Sequence, residues 1–171
     1  TVSEHIDMNS FIDFWMVNAL VGNSELQGPY SVFCYKDRGK KLIAGPLWDF
    51  DYSTFATTEK NFLGRSNLHF SSWWYASLFK DPTFAAATKK RCYQLKPAFL
   101  KVPEYIESQG DYLSKSVVLN WELWKIDTNV LHVNVNGDET FESYQDAIDR
   151  MIEIFLGRLE LLENEINTRL K

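Results

Sequence analysis

From Ser143 onward the chain repeats apolar residues every three or four positions: Ile148, Met151-Ile152, Phe155, Leu159, Leu162 and Ile166. That period fits one face of an α-helix of about 27 residues, with Ser143 as its N-cap. The seam runs long enough for a coiled coil. No sustained charge pairing flanks it, however, so the helix is expected to pack on the core of its own domain. A second helix is expected from Met8 to Val21, capped by Asp7 and stopped by Gly22, with Phe11, Phe14, Trp15, Asn18 and Leu20-Val21 forming a broad apolar face. Between these two helices a long stretch must reverse direction several times.

The first reversal reads as a hairpin: a strand over Tyr30–Lys36, a turn at Asp37-Arg38-Gly39-Lys40, and a return strand over Lys41–Gly45. Residues 52–71 have no clean period and read as a long loop of the kind that covers a site. A short helix is expected from Trp73 to Phe79, and another opens at Asp81-Pro82 and runs to about Leu95. Pro97 and Pro103 are expected to break the pattern before a helix from Glu104 to Trp124 that contains Gly110. Val130–Val135 reads as a strand or loop, ended by a turn at Asn136-Gly137-Asp138. The fold class is therefore α+β, predominantly helical with one antiparallel β-hairpin.

With 171 residues, 45% of them hydrophobic and 15% aromatic, the chain can bury the core of a single domain spanning residues 1–171. A net charge of −5 without a large Lys/Arg cluster argues against nucleic acid as the main partner. No apolar run is long enough to be a membrane-spanning segment. The chain opens at Thr1 without a Met and without a basic leader, so it is expected to be a processed product or an excised piece of a longer protein. Cys34 and Cys92 are read as buried free thiols. His5, His69 and His132 lack zinc-ligand spacing.

Chemistry concentrates in Gly45-Pro46-Leu47-Trp48-Asp49-Phe50-Asp51. On an extended backbone Asp49 and Asp51 would share one face about 6–7 Å apart, with Trp48 and Phe50 opposite. Two adjacent carboxylates repel unless a cation or a proton lies between them, which points to a divalent metal or acid–base site. The plainer alternative is that both acids cap a turn or face solvent.

The order of motifs adds to this. A helix leading into Asn23-Ser24-Glu25, then Pro29-Tyr30-Ser31, an aromatic strand ending Tyr35-Lys36-Asp37, and the Gly-Pro-x-Trp-Asp-Phe-Asp segment together resemble the CotH kinase family, bacterial proteins named for a spore-coat protein. Weaker echoes continue through Leu78-Phe79-Lys80-Asp81-Pro82-Thr83-Phe84, Asn120-Trp121, Asn136-Gly137-Asp138-Glu139, Ala147-Ile148 and Arg158. The resemblance implies the C-terminal lobe of an atypical protein-kinase-like fold. It implies ATP with Mg or Mn as cofactors and a protein acceptor as partner. Asp49 and Asp51 would be metal ligands, Ser31 and Trp48 would contact the cofactor, and Glu25 with Asn23 would carry the catalytic role. It also implies a secreted, cell-surface or coat-associated location in a bacterium.

The chain departs from that pattern in two ways. Glu25 stands where the family often has Asp, and Ser31 stands in place of an Asn. One extra methylene can misplace a base by about 1 Å and cost about 100-fold in rate. No Gly-rich phosphate loop and no Val-Ala-x-Lys strand occur, so the N-terminal nucleotide-binding lobe is expected to be absent and the piece alone inactive. Two other readings stay open. One is a non-catalytic, pseudokinase-like surface module binding glycan or coat partners through aromatic faces such as Trp73-Trp74-Tyr75, although packing in the core accounts for that cluster more simply. The other is a glycosidase using Glu25 and an Asp as its acid–base couple.

Overall fold

The computed structural model describes residues 1–28, 31–50, 54–55, 68–124, 131–134, 137–139 and 143–170. A short helix α1 (Val2–His5) precedes α2 (Met8–Val21), which forms the axis of the core. Asp7 caps α2 by accepting from the Ser10 amide at 2.8 Å, and Gly22 ends it in the left-handed region at φ 72°. Only glycine reaches that conformation without a steric penalty. Ile12, Trp15, Met16 and Ala19 on α2 are fully buried, so the helix is apolar on more than one side because partners surround it.

One side of α2 meets a two-stranded antiparallel sheet, β1 (Cys34–Tyr35) and β2 (Ile43–Ala44), with Cys34 opposite Ala44 and Tyr35 opposite Ile43. The Asp37–Lys40 turn closes through a Lys40 amide to Asp37 carbonyl bond of 3.1 Å. Both strands are shorter than the alternation implies. Ser31 takes a left-handed φ of 49°, so the first strand starts only after it, and Gly45 at φ 121° ends the return strand. The hairpin is held to α2 by the Ser10 hydroxyl, which accepts from the Ala44 amide at 3.2 Å, and to the segment before α2 by a parallel bridge between Ile6 and Leu42.

The remaining helices are α3 (Tyr75–Leu78), α4 (Pro82–Phe99), α5 (Val102–Trp124) and α6 (Tyr144–Arg169). Asp81 caps α4, with Pro82 in its first turn. Pro97 does not break α4: it falls in the last turn, where only the Tyr93 carbonyl loses a donor, and the helix stops at Phe99. Pro103 likewise sits within the first turn of α5. A bidentate pair from Arg91 to Asp13 (2.8 and 2.7 Å) ties α4 to α2. Trp15, Phe70, Phe79 and Phe84 pack in tilted and edge-to-face pairs at centroid distances of 4.6–5.4 Å. In the tryptophan cluster Tyr75 is buried and donates to the Phe11 carbonyl at 2.9 Å, Trp74 is partly buried, and Trp73 is 49% exposed.

Helix α6 packs on α2, α4 and α5 of the same chain. Ser143 caps it, and Phe155, Leu159, Leu162 and Ile166 are buried, as the periodicity requires. The expectation of one hairpin is corrected. Beside β1–β2 there is a second antiparallel pair, β3 (Leu131–Asn134) with β4 (Gly137–Glu139), because residues read only as a turn also supply the partner strand. The thiols are also corrected: both are free and Cys92 is buried, but Cys34 is exposed on the two-stranded sheet. Most of the loop expected over 52–71 lies outside the described residues. Its last part, Leu68 to Phe70, is buried in the core.

Candidate functional site

The end of α2 builds the site. Asn18, 1% exposed, donates its amide to the Phe14 carbonyl at 2.7 Å and accepts from the Asn23 amide at 2.8 Å. The Asn23 backbone amide also bonds the Asn18 carbonyl at 3.0 Å. Asn23 then caps a 3₁₀ turn, Ser24–Gln27, by accepting from the Glu25 amide at 3.0 Å. Each end of the Asn23 side chain therefore holds a fold contact, and its action on the site goes through the turn that carries Glu25.

Ser31 and Asp49 bring the other two oxygens. The Ser31 hydroxyl lies 3.3 Å from Asp49 Oδ2 and 3.5 Å from Glu25 Oε1. A hydroxyl has one proton, so it can donate fully to only one carboxylate at a time. Both distances also exceed the usual 2.5–3.0 Å range of an O–H···O bond. Two acids from separate loops thus approach one hydroxyl. Both Ser31 (φ 49°) and Asp49 (φ 64°) hold the left-handed backbone conformation. Non-glycine residues in that region cost about 1–3 kcal/mol each and gather at functional sites.

The extended-strand geometry expected for Asp49 is corrected. β2 ends at Ala44, the Gly45–Pro46 peptide is cis, and the left-handed turn at Asp49 breaks the alternation of faces. Asp51 lies outside the described residues. Trp48 is 58% exposed and meets Phe33 edge to face at 6.4 Å. Phe33, Tyr35 and Leu47 are also exposed. Among the described residues no cluster of three or more His, Cys, Asp or Glu is placed to hold a metal ion.

A family model described as CotH kinase protein matches residues 1–162. The chain belongs to the CotH kinase family. The matched range takes in both loops of the candidate site and most of α6, well beyond the Trp-Asp-Phe-Asp segment. No curated protein and no solved structure matches the chain.

Two buried polar residues beneath this candidate site are not among the site residues read from the sequence. Asn18 was counted in the apolar face of α2, although a polar residue at a buried helical position was itself the signal. Arg158 breaks the apolar stripe of α6 between Phe155 and Leu162 and is 1% exposed. Its Nε donates to the Ala19 carbonyl at 2.7 Å in the last turn of α2. No helix among the described residues is long and apolar enough to cross a membrane.

Proposed function

We propose that this chain carries the metal-binding and acceptor-positioning half of an ATP-dependent, CotH-type protein kinase. The observation that carries the reading is the approach of Glu25 and Asp49, from separate loops, to the one hydroxyl of Ser31. Carboxylate and hydroxyl oxygens are hard donors, the type that Mg²⁺ and Mn²⁺ take. Mg²⁺ in particular is commonly held by one or two carboxylates together with substrate phosphates. Glu25, Ser31 and Asp49 therefore match the cation in donor type, and the reading takes Asp51 as the further acid. When bound, the cation would bridge and neutralise the phosphate oxygens of ATP. In this reading Asp49 and Asp51 hold it, and Ser31 adds a neutral oxygen near the phosphates. Glu25 lines the same metal–phosphate site, orienting the acceptor hydroxyl and supporting the Ser31 oxygen it faces from outside the cation's direct ligands. Asn23 keeps the turn under Glu25 in place, and Trp48 gives an apolar face to the nucleotide.

The partners are then a nucleotide and a protein acceptor, with secretion or a surface or coat location in a bacterium following the family. The sequence has no Gly-rich phosphate loop, so turnover of ATP calls for an N-terminal lobe beyond these residues. Titration calorimetry of Mg²⁺ or Mn²⁺ with ATP, on a protein extended upstream, tests the reading. Metal-dependent ATP binding that is lost in Asp49→Asn supports it. No metal response, with Asp49→Asn equal to the parent, overturns it.

One observation favours a second reading, a pseudokinase-like binding module. Phe33, Tyr35, Leu47 and Trp48 stay exposed on one chain region, and Glu25 and Ser31 replace the usual Asp and Asn. Nucleotide binding without phosphate transfer to any acceptor would separate this reading from the first.

A further inference from the structure

Arg158 reaches the turn under Glu25 from the other end of the chain. A guanidinium stays charged in a protein, so its burial is costly unless it is hydrogen-bonded. The Ala19 carbonyl answers that need at 2.7 Å. The Gly22 and Asn23 amides both go to the Asn18 carbonyl, which leaves Ala19 open to an outside donor. The C-terminal end of a helix also favours a cation by its dipole. The guanidinium then lies against Gly22: a Cβ built there would sit 3.2 Å from Cζ, 3.3 Å from Nε and 3.4 Å from Nη1 of Arg158. Asn23 follows directly, and Glu25 lies two residues beyond it.

We infer that Arg158 is a positioning residue for the Glu25–Ser31–Asp49 site. Its guanidinium clamps Ala19 and Gly22, which sets the direction in which the chain leaves α2 and so where the Glu25 carboxylate points. The inference rests on the proposed reading of that site as a cation site. Helix α6 thereby acts on the site through the end of α2. Lysine at 158 keeps the charge but loses the planar fork that spans a carbonyl and a glycine face.

The test is Mn²⁺ affinity of the chain, measured by paramagnetic resonance of free Mn²⁺, for the parent, Arg158→Lys, Gly22→Ala and Gly39→Ala. Gly22 and Gly39 share a φ of 72°, but a Cβ at Gly39 meets nothing within 4 Å. Gly39→Ala therefore reports the backbone penalty alone. Expected is a loss of about tenfold in Mn²⁺ affinity for Arg158→Lys and Gly22→Ala, the low end for outer-shell support, with Gly39→Ala equal to the parent. Parent-like affinity in both Arg158→Lys and Gly22→Ala overturns the inference. If Arg158→Lys does not fold, Gly22→Ala against Gly39→Ala decides alone. If the parent binds no Mn²⁺, the cation reading fails, and the clamp is judged by hydrogen exchange at the Glu25 and Leu26 amides. Faster exchange there in Gly22→Ala than in Gly39→Ala upholds the clamp, and equal exchange removes it.

Discussion

Ser31 and Asp49, 18 positions apart, meet through a hydroxyl-to-carboxylate contact of 3.3 Å, and both reach it from a left-handed backbone. Asp and Asn tolerate this conformation better than other non-glycine residues, because their short polar side chains bond locally. Asp49→Asn is therefore a clean probe. It is expected to change stability by no more than about 0.5 kcal/mol, the usual range for surface substitutions, while removing most of the Mn²⁺ affinity. Thermal melts beside a metal titration check both halves. A large loss of stability would mean that Asp49 serves the fold and not a ligand.

Ser31 gives the converse case. Ser31→Gly and Ser31→Ala both delete the hydroxyl that faces Glu25 and Asp49, but only glycine fits φ 49° without a steric penalty. Ser31→Gly is expected to be more stable than Ser31→Ala by about 1–2 kcal/mol, the cost of a side chain in the left-handed region. Both are expected to weaken Mn²⁺ binding alike. Urea denaturation gives the difference in stability, and equal midpoints would mean that the loop relaxes out of this conformation.

Asn18 and Asn23 form a buried amide pair at 2.8 Å. Removing either partner leaves the other with a buried polar group to satisfy, which costs about 1–3 kcal/mol. Asn18→Ala and Asn23→Ala are each expected to destabilise by that amount. The double variant should lose clearly less than the sum, because the second substitution removes a group already orphaned. Strictly additive losses in chemical denaturation would show that the two amides act independently.

The helices were legible because their signals are local. Asp7 and Gly22 mark the ends of α2, Asp81-Pro82 opens α4, and the seam from Ile148 to Ile166 defines α6. Motif order leads to the expectation that Glu25 converges with Asp49 and Asp51. Glu25 and Asp49 both approach Ser31, while Asp51 lies outside the described residues, and the local geometry is not legible in the sequence. Alternation along a strand says where side chains point only while the backbone stays extended, and Ser31, Gly45 and Asp49 all leave that region. The second sheet was missed because β4 is a three-residue strand starting at a turn glycine. In the sequence Arg158 stands out only as a weak family echo, since nothing local to α6 reveals a carbonyl contributed by α2. Long-range polar contacts of this kind leave one trace in sequence: a polar residue standing in an apolar stripe.

Gly110 marks where α5 and α6 come together. A Cβ there would lie 3.1 Å from Ile148 Cδ1 and 3.3 Å from Cγ1, and the Tyr144 hydroxyl donates to the Gly110 carbonyl at 3.3 Å. Alanine in a helix interior gains up to about 1 kcal/mol over glycine, but here the contact with Ile148 opposes it. Gly110→Ala in the parent is expected to give no gain. In an Ile148→Val background, which deletes Cδ1, the same change is expected to stabilise relative to Ile148→Val alone, as melting would report. A gain of equal size in both backgrounds would show that the two helices separate at no cost.

Cys92 on α4 gives a pH signature that needs no ligand. Burial, with a smaller contribution from the nearby Glu163 carboxylate, pushes its thiol from the ordinary 9.0 to about 11. Between those values the unfolded chain has released a proton that the native chain keeps, so rising pH favours unfolding. The contribution is fully present below pH 9.0 and is lost as pH climbs through about 11, a fall of about 2–3 kcal/mol at most. Lys96, held above its ordinary range by its hydrogen bond to Glu163, adds a loss in the same direction at the upper end. Cys92→Ala should therefore be less stable than the parent at neutral pH through the lost packing, yet show a flatter decline above pH 9.0. Urea midpoints measured from neutral to alkaline pH distinguish the two curves. Parallel curves would mean that the thiol of Cys92 ionises as readily in the folded chain as in the unfolded one.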